Sequence, residues 1–476
     1  MLVRLQLART ELAQSYEVGV IQNTPVPDST PEQIEELSSL ASHAHDLKRS
    51  LDTGNEVSHA FRLPWLLQFS GDSLTERGNA VASFQADTEQ QLADIQDQID
   101  DIAFDLYELS DEDRQLVREE MGVSASPSLT DEDDDVEADA EDDVETADAD
   151  DEEEEIEAED LDTYVHRLLS WCVGVVFGRW DVRFALNPEL LPALQGAFER
   201  LPVVAPAGLV GPQGYPAEPG QMVPETWLRA RPNVIALPEG DEGETLDGAA
   251  AYPLAVQWDG VLVSDPNHPR DIAARVREVL KVVFGERAAD TEDEAVAVLR
   301  GTGRKPDSLE QYFAETRQFF DVHLKQYSKS RRKAPIYWPL QTKSGYTVWL
   351  YYPRINQDTL PRVLTEVLEP RISFQKVDVQ RLEGQRAKLS SGPEFNKLGK
   401  ELDEAKQLLG ELRNMDAEIR MLINRGYSVD HNDGVVLSAA PLHKLIAWKE
   451  AAKEFKKLVK GEYPWCSQHT TWSEEQ

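Results

Sequence analysis

Apolar residues recur at helical spacing through much of this chain. Between Thr88 and Tyr107, Leu92, Ile95, Ile99, Ile102 and Leu106 step by three and four. That spacing predicts a long helix with one apolar stripe and Asp and Gln on its other face. Similar patterns run from Glu32 to about Thr53 and from Leu161 to Phe177, where Gly178 ends the helix. Another runs from Asp271 to Gly285, with Ile272, Val276, Val279, Leu280 and Val283 inward. Ser110 with Asp113, and Ser308 with Gln311, read as the caps of two further helices, the second carrying Phe313, Phe320 and Leu324. Pro361 to Leu368 predicts a short helix closed by Pro370. Val377–Leu389 and Glu394–Asn424 predict an antiparallel helical hairpin. Leu398, Leu402, Ala405, Leu409, Leu412 and Ile419 lie at heptad-like spacing on its second arm. Leu442 to Tyr463 predicts a basic helix with Lys444, Lys449, Lys453, Lys456, Lys457 and Lys460.

Alternation of period two is concentrated in one place. Ile336, Trp338 and Leu340 alternate with Tyr337, Pro339 and Gln341. After the turn Thr342-Lys343-Ser344-Gly345, Tyr346, Val348, Leu350 and Tyr352 alternate with Thr347, Trp349 and Tyr351. This predicts a β-hairpin whose first strand, carrying Pro339, suits a sheet edge. Shorter strands are expected at Val18–Ile21, Arg179–Phe184, Gly260–Ser264 and Val435–Leu437, and residues 185–253, rich in Pro and Gly, are expected to be mostly loop. The fold class is mixed α+β, predominantly helical. The expected domains are a helical region over 1–123, an acidic disordered linker over 124–160, an α/β DNA-recognition-like region over 161–374, and a helical hairpin with a basic terminal helix over 375–476.

Charge sharpens this picture. The chain has 476 residues and a net charge of −40. Residues 131–160 hold 21 acids and no Lys or Arg, so the remainder still nets −19. A segment this acidic and this poor in apolar residues cannot build a core and reads as a solvated tether, or more sharply as an internal DNA mimic. Lys325 to Lys376 goes the other way, with ten Lys or Arg against Asp358, Glu366 and Glu369, a net of +7. Cations at Lys329, Arg331, Arg332, Lys333, Lys343 and Arg354 beside the aromatic hairpin are what a nucleic-acid surface uses, the cations for phosphates and the rings for sugars or unstacked bases. Trp338, Tyr337 and Tyr351 fit either a core or a DNA-facing role. Two cysteines, Cys172 and Cys466, argue for a reducing cytoplasm, and no signal peptide or membrane-length apolar run is expected.

Catalytic patterns are sparse. Asn187-Pro-Glu and Asp265-Pro-Asn lack the second Pro and the aromatic of an Asn/Asp-Pro-Pro-Tyr/Phe motif. Glu404-Ala-Lys406 and Glu454-Phe-Lys456 sit inside expected helices and read as surface pairs, not as a nuclease centre. His43 and His45 face different sides of a helix, which does not suit a metal pair.

Several stretches, in order, resemble the C-terminal half of large adenine-specific DNA methyltransferases, the PglX-type enzymes of BREX phage defence and related single-chain restriction-modification methylases. They are Gly19-Val-Ile-Gln-Asn-Thr-Pro-Val-Pro27, Leu47-Lys-Arg-Ser-Leu-Asp52, Ile99-Asp-Asp-Ile-Ala-Phe-Asp-Leu-Tyr107, Gly178-Arg-Trp-Asp-Val-Arg-Phe184, Asp265-Pro-Asn-His-Pro-Arg-Asp271, the run Tyr327 to Trp338, Val348 to Tyr352, Asn432-Asp-Gly-Val435 and Ala440-Pro-Leu442. The resemblance implies a part that follows the catalytic domain and binds double-stranded DNA. S-adenosylmethionine would then be held by a catalytic half on another polypeptide, with no cofactor on this chain. Two other classes stay open on the residues alone: a restriction endonuclease subunit, and an acidic interaction protein of a defence complex that does not bind DNA.

Overall fold

The computed structural model describes residues 27–123, 160–194, 196–211, 213–219, 222–223, 235–236, 250–301, 306–315, 318–329 and 332–472. The acidic segment and the expected strand at Val18–Ile21 lie outside them. Contacts divide the chain into two units, one of Met1–Ser50 with Ser83–Glu159, the other of Leu51–Ala82 with Asp160–Gln476.

The first unit is helical. Helix α1 (Pro31–Asp52) opens with a reciprocal capping box: Gln33 N–H donates to Thr30 Oγ1 (3.3 Å), and Thr30 N–H donates to Gln33 Oε1 (2.9 Å). Pro31 stands at the first helical position, where its missing N–H costs nothing, so it begins the helix. Helix α2 (Leu74–Leu106) starts fourteen residues before Thr88, where the expected helix begins. The cause is tertiary and lies within the second unit, to which residues 74–82 of this helix belong: the Glu294 carboxylate accepts from the amides of Leu74 (2.8 Å) and Thr75 (2.9 Å), satisfying two orphan donors. Of the stripe, Ile95 is buried, while Leu92, Ile99 and Ile102 are half-exposed. Helix α3 (Asp111–Val123) has the expected Ser110–Asp113 cap.

The second unit is built around α4 (Leu161–Val176), buried on every face from Tyr164 onward. Helices α5 (Ile272–Phe284), α6 (Ala288–Gly301), α7 (Leu309–Ala314) and α8 (Phe319–Gln326) pack around it and one another. The helix expected from Ser308 is thus two, and α6 was not foreseen. Strands β1 (Val261–Val263), β2 (Tyr337–Gln341) and β3 (Thr347–Tyr351) form an antiparallel sheet in the order β1-β3-β2. The hairpin register pairs Tyr337 with Tyr351 and Pro339 with Trp349, and Pro339 lies on an edge strand as expected. Helices α9 (Glu369–Arg386) and α10 (Pro393–Asn424) run antiparallel: Glu369 meets Arg420, Glu383 meets Lys406, and Arg386 lies at Gly399. Glu411 of α10 accepts the Ser344 amide at 2.7 Å and steadies the β2–β3 turn.

Four expectations are corrected. Arg179–Phe184 is no strand: Trp180 makes a single bridge to Gly208 and Arg183–Leu186 is a helical turn. Its alternating charges face the interior, where the Asp181 carboxylate, 2% exposed, accepts from Arg183. Val435–Ala439 is a short helix led in by Gly434 at φ +83°. Pro370 does not close the preceding helix. A π-turn over Val363–Leu368 carries the backbone straight into α9, and the Glu366 carbonyl that Pro370 cannot serve lies 3.4 Å from His268 Nε2. The terminal helix α11 is shorter than expected, Lys449–Val459.

Candidate nucleic-acid interface

The hairpin's rings are interior on both faces. Tyr337, Trp338 and Trp349 are wholly buried, and Tyr351 nearly so. On one face Phe177 stacks on Tyr337 and Tyr351, and Phe319 meets Trp349 edge-on. On the other, Trp338 packs against Tyr352 and its Nε1 donates to the Pro335 carbonyl at 2.8 Å. Of the two roles left open for Trp338, Tyr337 and Tyr351, the core is the one observed.

Behind this sheet lies a polar cluster that the sequence reading missed. Glu56 Oε1 accepts from Ser170 Oγ (2.7 Å) and Tyr327 Oη (3.0 Å). Arg179 donates to Tyr327 Oη and to the Glu56 carbonyl (3.1 Å), with its guanidinium 4.1 Å from the Trp180 ring centre. Burial alone would lower the Arg179 pKa; Tyr327, Tyr337 and Glu56 around it raise it above its ordinary value. Burial pushes the Tyr327 and Tyr337 hydroxyls well up, so both stay neutral; Tyr327 Oη donates to Glu56, while Tyr337 Oη has no hydrogen-bond partner among the described residues. His323 Nε2 accepts from the amides of Ile336 (3.0 Å) and Tyr337 (3.2 Å), which places its proton on Nδ1. Burial and the nearby Arg179 hold His323 neutral, its pKa well below the usual imidazole range. Gly174 makes room for this arrangement: a Cβ there would stand 2.4 Å from Trp180 Cδ1. No local signal marks Glu56 or Ser170, because they meet Arg179 and Tyr327 only through the tertiary fold. Chemically the cluster sets one carboxylate against one guanidinium and holds the Tyr327 hydroxyl between them, while Glu56 Oε2 and His323 Nδ1 have no hydrogen-bond partner among the described residues. A cleft of about 860 Å³ opens beside it, lined by Glu56, Arg179, Trp180, Tyr327, Tyr351 and Arg354 among others.

The six expected DNA contacts fall in different settings. Ser328–Lys329 pairs antiparallel with Arg332–Lys333, bringing the backbones of Lys329 and Arg332 opposite each other. Arg331, and the side chains of Lys329 and Arg332, lie outside what the structure describes. Lys333 makes an ion pair with Glu450 of α11. Lys343 is exposed on the hairpin turn. Arg354 is half-buried, donates to the Ala217 carbonyl at 2.7 Å and covers the Trp258 ring. Among the described residues no group of three or more His, Cys, Asp or Glu is placed to hold a metal ion, and no helix is long and apolar enough to cross a membrane. Glu404 and Glu454 are surface partners of Lys400 and Lys457.

This geometry, a helical scaffold around a buried aromatic hairpin, is accompanied by similarity to adenine-specific methyltransferases. Part of the chain is homologous, at low identity, to adenine-specific methyltransferases of the BREX type. It is 28% identical over 225 residues to the adenine-specific methyltransferase BrxX of Escherichia coli O9:H4 (strain HS), covering 46% of this chain and 19% of that protein. It is 25% identical over 187 residues to the adenine-specific methyltransferase PglX of Lacticaseibacillus casei (strain Zhang), covering 38% of this chain and 15% of that protein. The chain thus matches less than a fifth of the length of either relative. No protein-family model matches the chain.

Proposed function

We propose that this chain supplies DNA binding, target recognition and scaffolding to an adenine-specific (N6) DNA methyltransferase of a BREX or restriction-modification defence system. The observation that carries the reading is the similarity to two adenine-specific methyltransferases in a sequence that contains no Asn/Asp-Pro-Pro-Tyr/Phe motif. Methyl transfer from S-adenosylmethionine then belongs to a catalytic region outside these residues. That region and other defence proteins are the partners, and double-stranded DNA is the ligand. The loop at Lys329, Arg331, Arg332 and Lys333, with Lys343 on the neighbouring turn, meets phosphates. Such contacts set position and leave base reading to other groups. Arg354, already engaged, belongs at the edge of that surface.

The test is a salt titration of duplex binding by the whole chain, unaltered and with Arg331, Arg332 and Lys333 replaced by Gln. The unaltered chain is expected to bind with a steep salt dependence. The variant should lose about two to three units of slope, at roughly 0.9 per phosphate contact. Absence of salt-dependent duplex binding by the unaltered chain sinks the reading.

A further inference from the structure

Helix α11 and its C-terminal cap carry a row of lysines at positions 449, 453, 456 and 460, steps of four, three and four that stack on one side. All four are exposed, and among the described residues none has an ion-pair partner. The opposite side is anchored. Ala451 and Leu458 are buried, and the Phe455 ring lies 4.2 Å from His443 and 5.5 Å from Trp472, centre to centre. The helix cannot turn its lysines inward without exposing that face. Its acids lie on a flank and are already used: Glu450 by Lys333, Glu454 by Lys457 and Tyr463. So the row is not neutralised at home, in a chain of net charge −40.

We propose that Lys449, Lys453, Lys456 and Lys460 form a track for the backbone phosphates of duplex DNA, a second contact surface beside the 328–333 loop. The proposal rests on the reading that the chain binds DNA. Eleven residues of helix span about 16 Å, the axial length of about five phosphates of one strand. Lysine offers compact, flexible point charges, which suits phosphate tracking and gives no base discrimination. The Lys333–Glu450 ion pair ties this helix to the strand Arg332–Lys333.

The experiment compares the whole chain with two fourfold variants, Lys449, Lys453, Lys456 and Lys460 all to Gln, or all to Arg. Each is titrated with salt on two duplexes of unrelated sequence, alongside thermal melting. The Gln variant should flatten the slope of log affinity against log salt by about three to four units, at roughly 0.9 per contact, and equally on both duplexes. Its melting temperature should match the unaltered chain, and the Arg variant should keep the slope. If the unaltered chain binds and the Gln variant keeps its slope, the track is refuted while the proposed function stands. Loss confined to one duplex also refutes it, as does a Gln variant that loses only binding to an acidic peptide of residues 131–160. If the unaltered chain binds no duplex, both fall together.

Discussion

The hairpin region and helix α11 look alike as sequence, each a run of cations with aromatic neighbours, and they fold to opposite ends. In the hairpin the rings go inside and two of the nearby cations take internal partners, Lys333 with Glu450 and Arg354 with the Ala217 carbonyl. In α11 the apolar residues anchor the helix and four lysines are left in water. Counting charges along a chain therefore finds where cations are made, not where they are free. What decides is whether a residue's neighbours in space have already paired with it.

That contrast can be broken at its strongest point first. Replacing Arg179 by Met strands the Glu56 carboxylate in the interior, and a cost of about 3–5 kcal/mol is expected in urea unfolding. A second change, Glu56 to Gln, should recover part of it. A loss below about 1 kcal/mol for Arg179→Met would mean the cluster is solvated. Trp338→Ala comes next, at about 3–5 kcal/mol for a wholly buried indole. An unchanged melting temperature would place that ring outside and reverse the comparison.

The third effect is pH-dependent. In the folded chain His323 and, less deeply buried, His443 have lowered pKa values, chiefly through burial. Below about pH 6.5 the unfolded chain binds the His323 proton and the folded chain does not, so stability should fall as pH drops from about 6.5 to 5, by up to about 1.4 kcal/mol per unit, with His443 acting in the same direction. His323→Gln, whose carbonyl can accept the same two amides, should shallow that decline, as followed by urea midpoints across the window. Glu310, held down to about 2 by Arg277, acts lower: its contribution is present above about 4.5 and is lost as pH falls toward 2. An identical decline for wild type and variant would remove His323 from the account. The smallest effect is the counterpart: changing the four α11 lysines to Gln should alter stability by less than about 0.5 kcal/mol, since exposed unpaired charges contribute little. A larger loss would show that the row is structural.

Much of the fold was legible where the signal is local. The hairpin, its edge position, the capped helices and the helical hairpin of α9 and α10 follow from periodicity, turn residues and caps. What failed depended on distant partners. Helix α2 begins where Glu294 arrives to cap it, the alternation over Arg179–Phe184 is a buried polar network, and Pro370 is tolerated because a π-turn and His268 accommodate it. The cluster of Glu56, Ser170, Arg179 and Tyr327 was illegible for the same reason. The lysine spacing of α11 was visible throughout, but its freedom from partners was not.

The small sheet carries a last consequence. It is rich in aromatics and buried on both faces, the kind of surface that recruits further strands when an edge is open. Both edges are closed. Pro339 withdraws a donor from β2, Gln341 gives its amide to the Leu445 carbonyl at 2.9 Å, and on β1 the Val263 amide is taken by Arg270 at 3.0 Å. The sheet is finished at three strands, and these contacts leave its rim little free backbone with which to recruit a fourth.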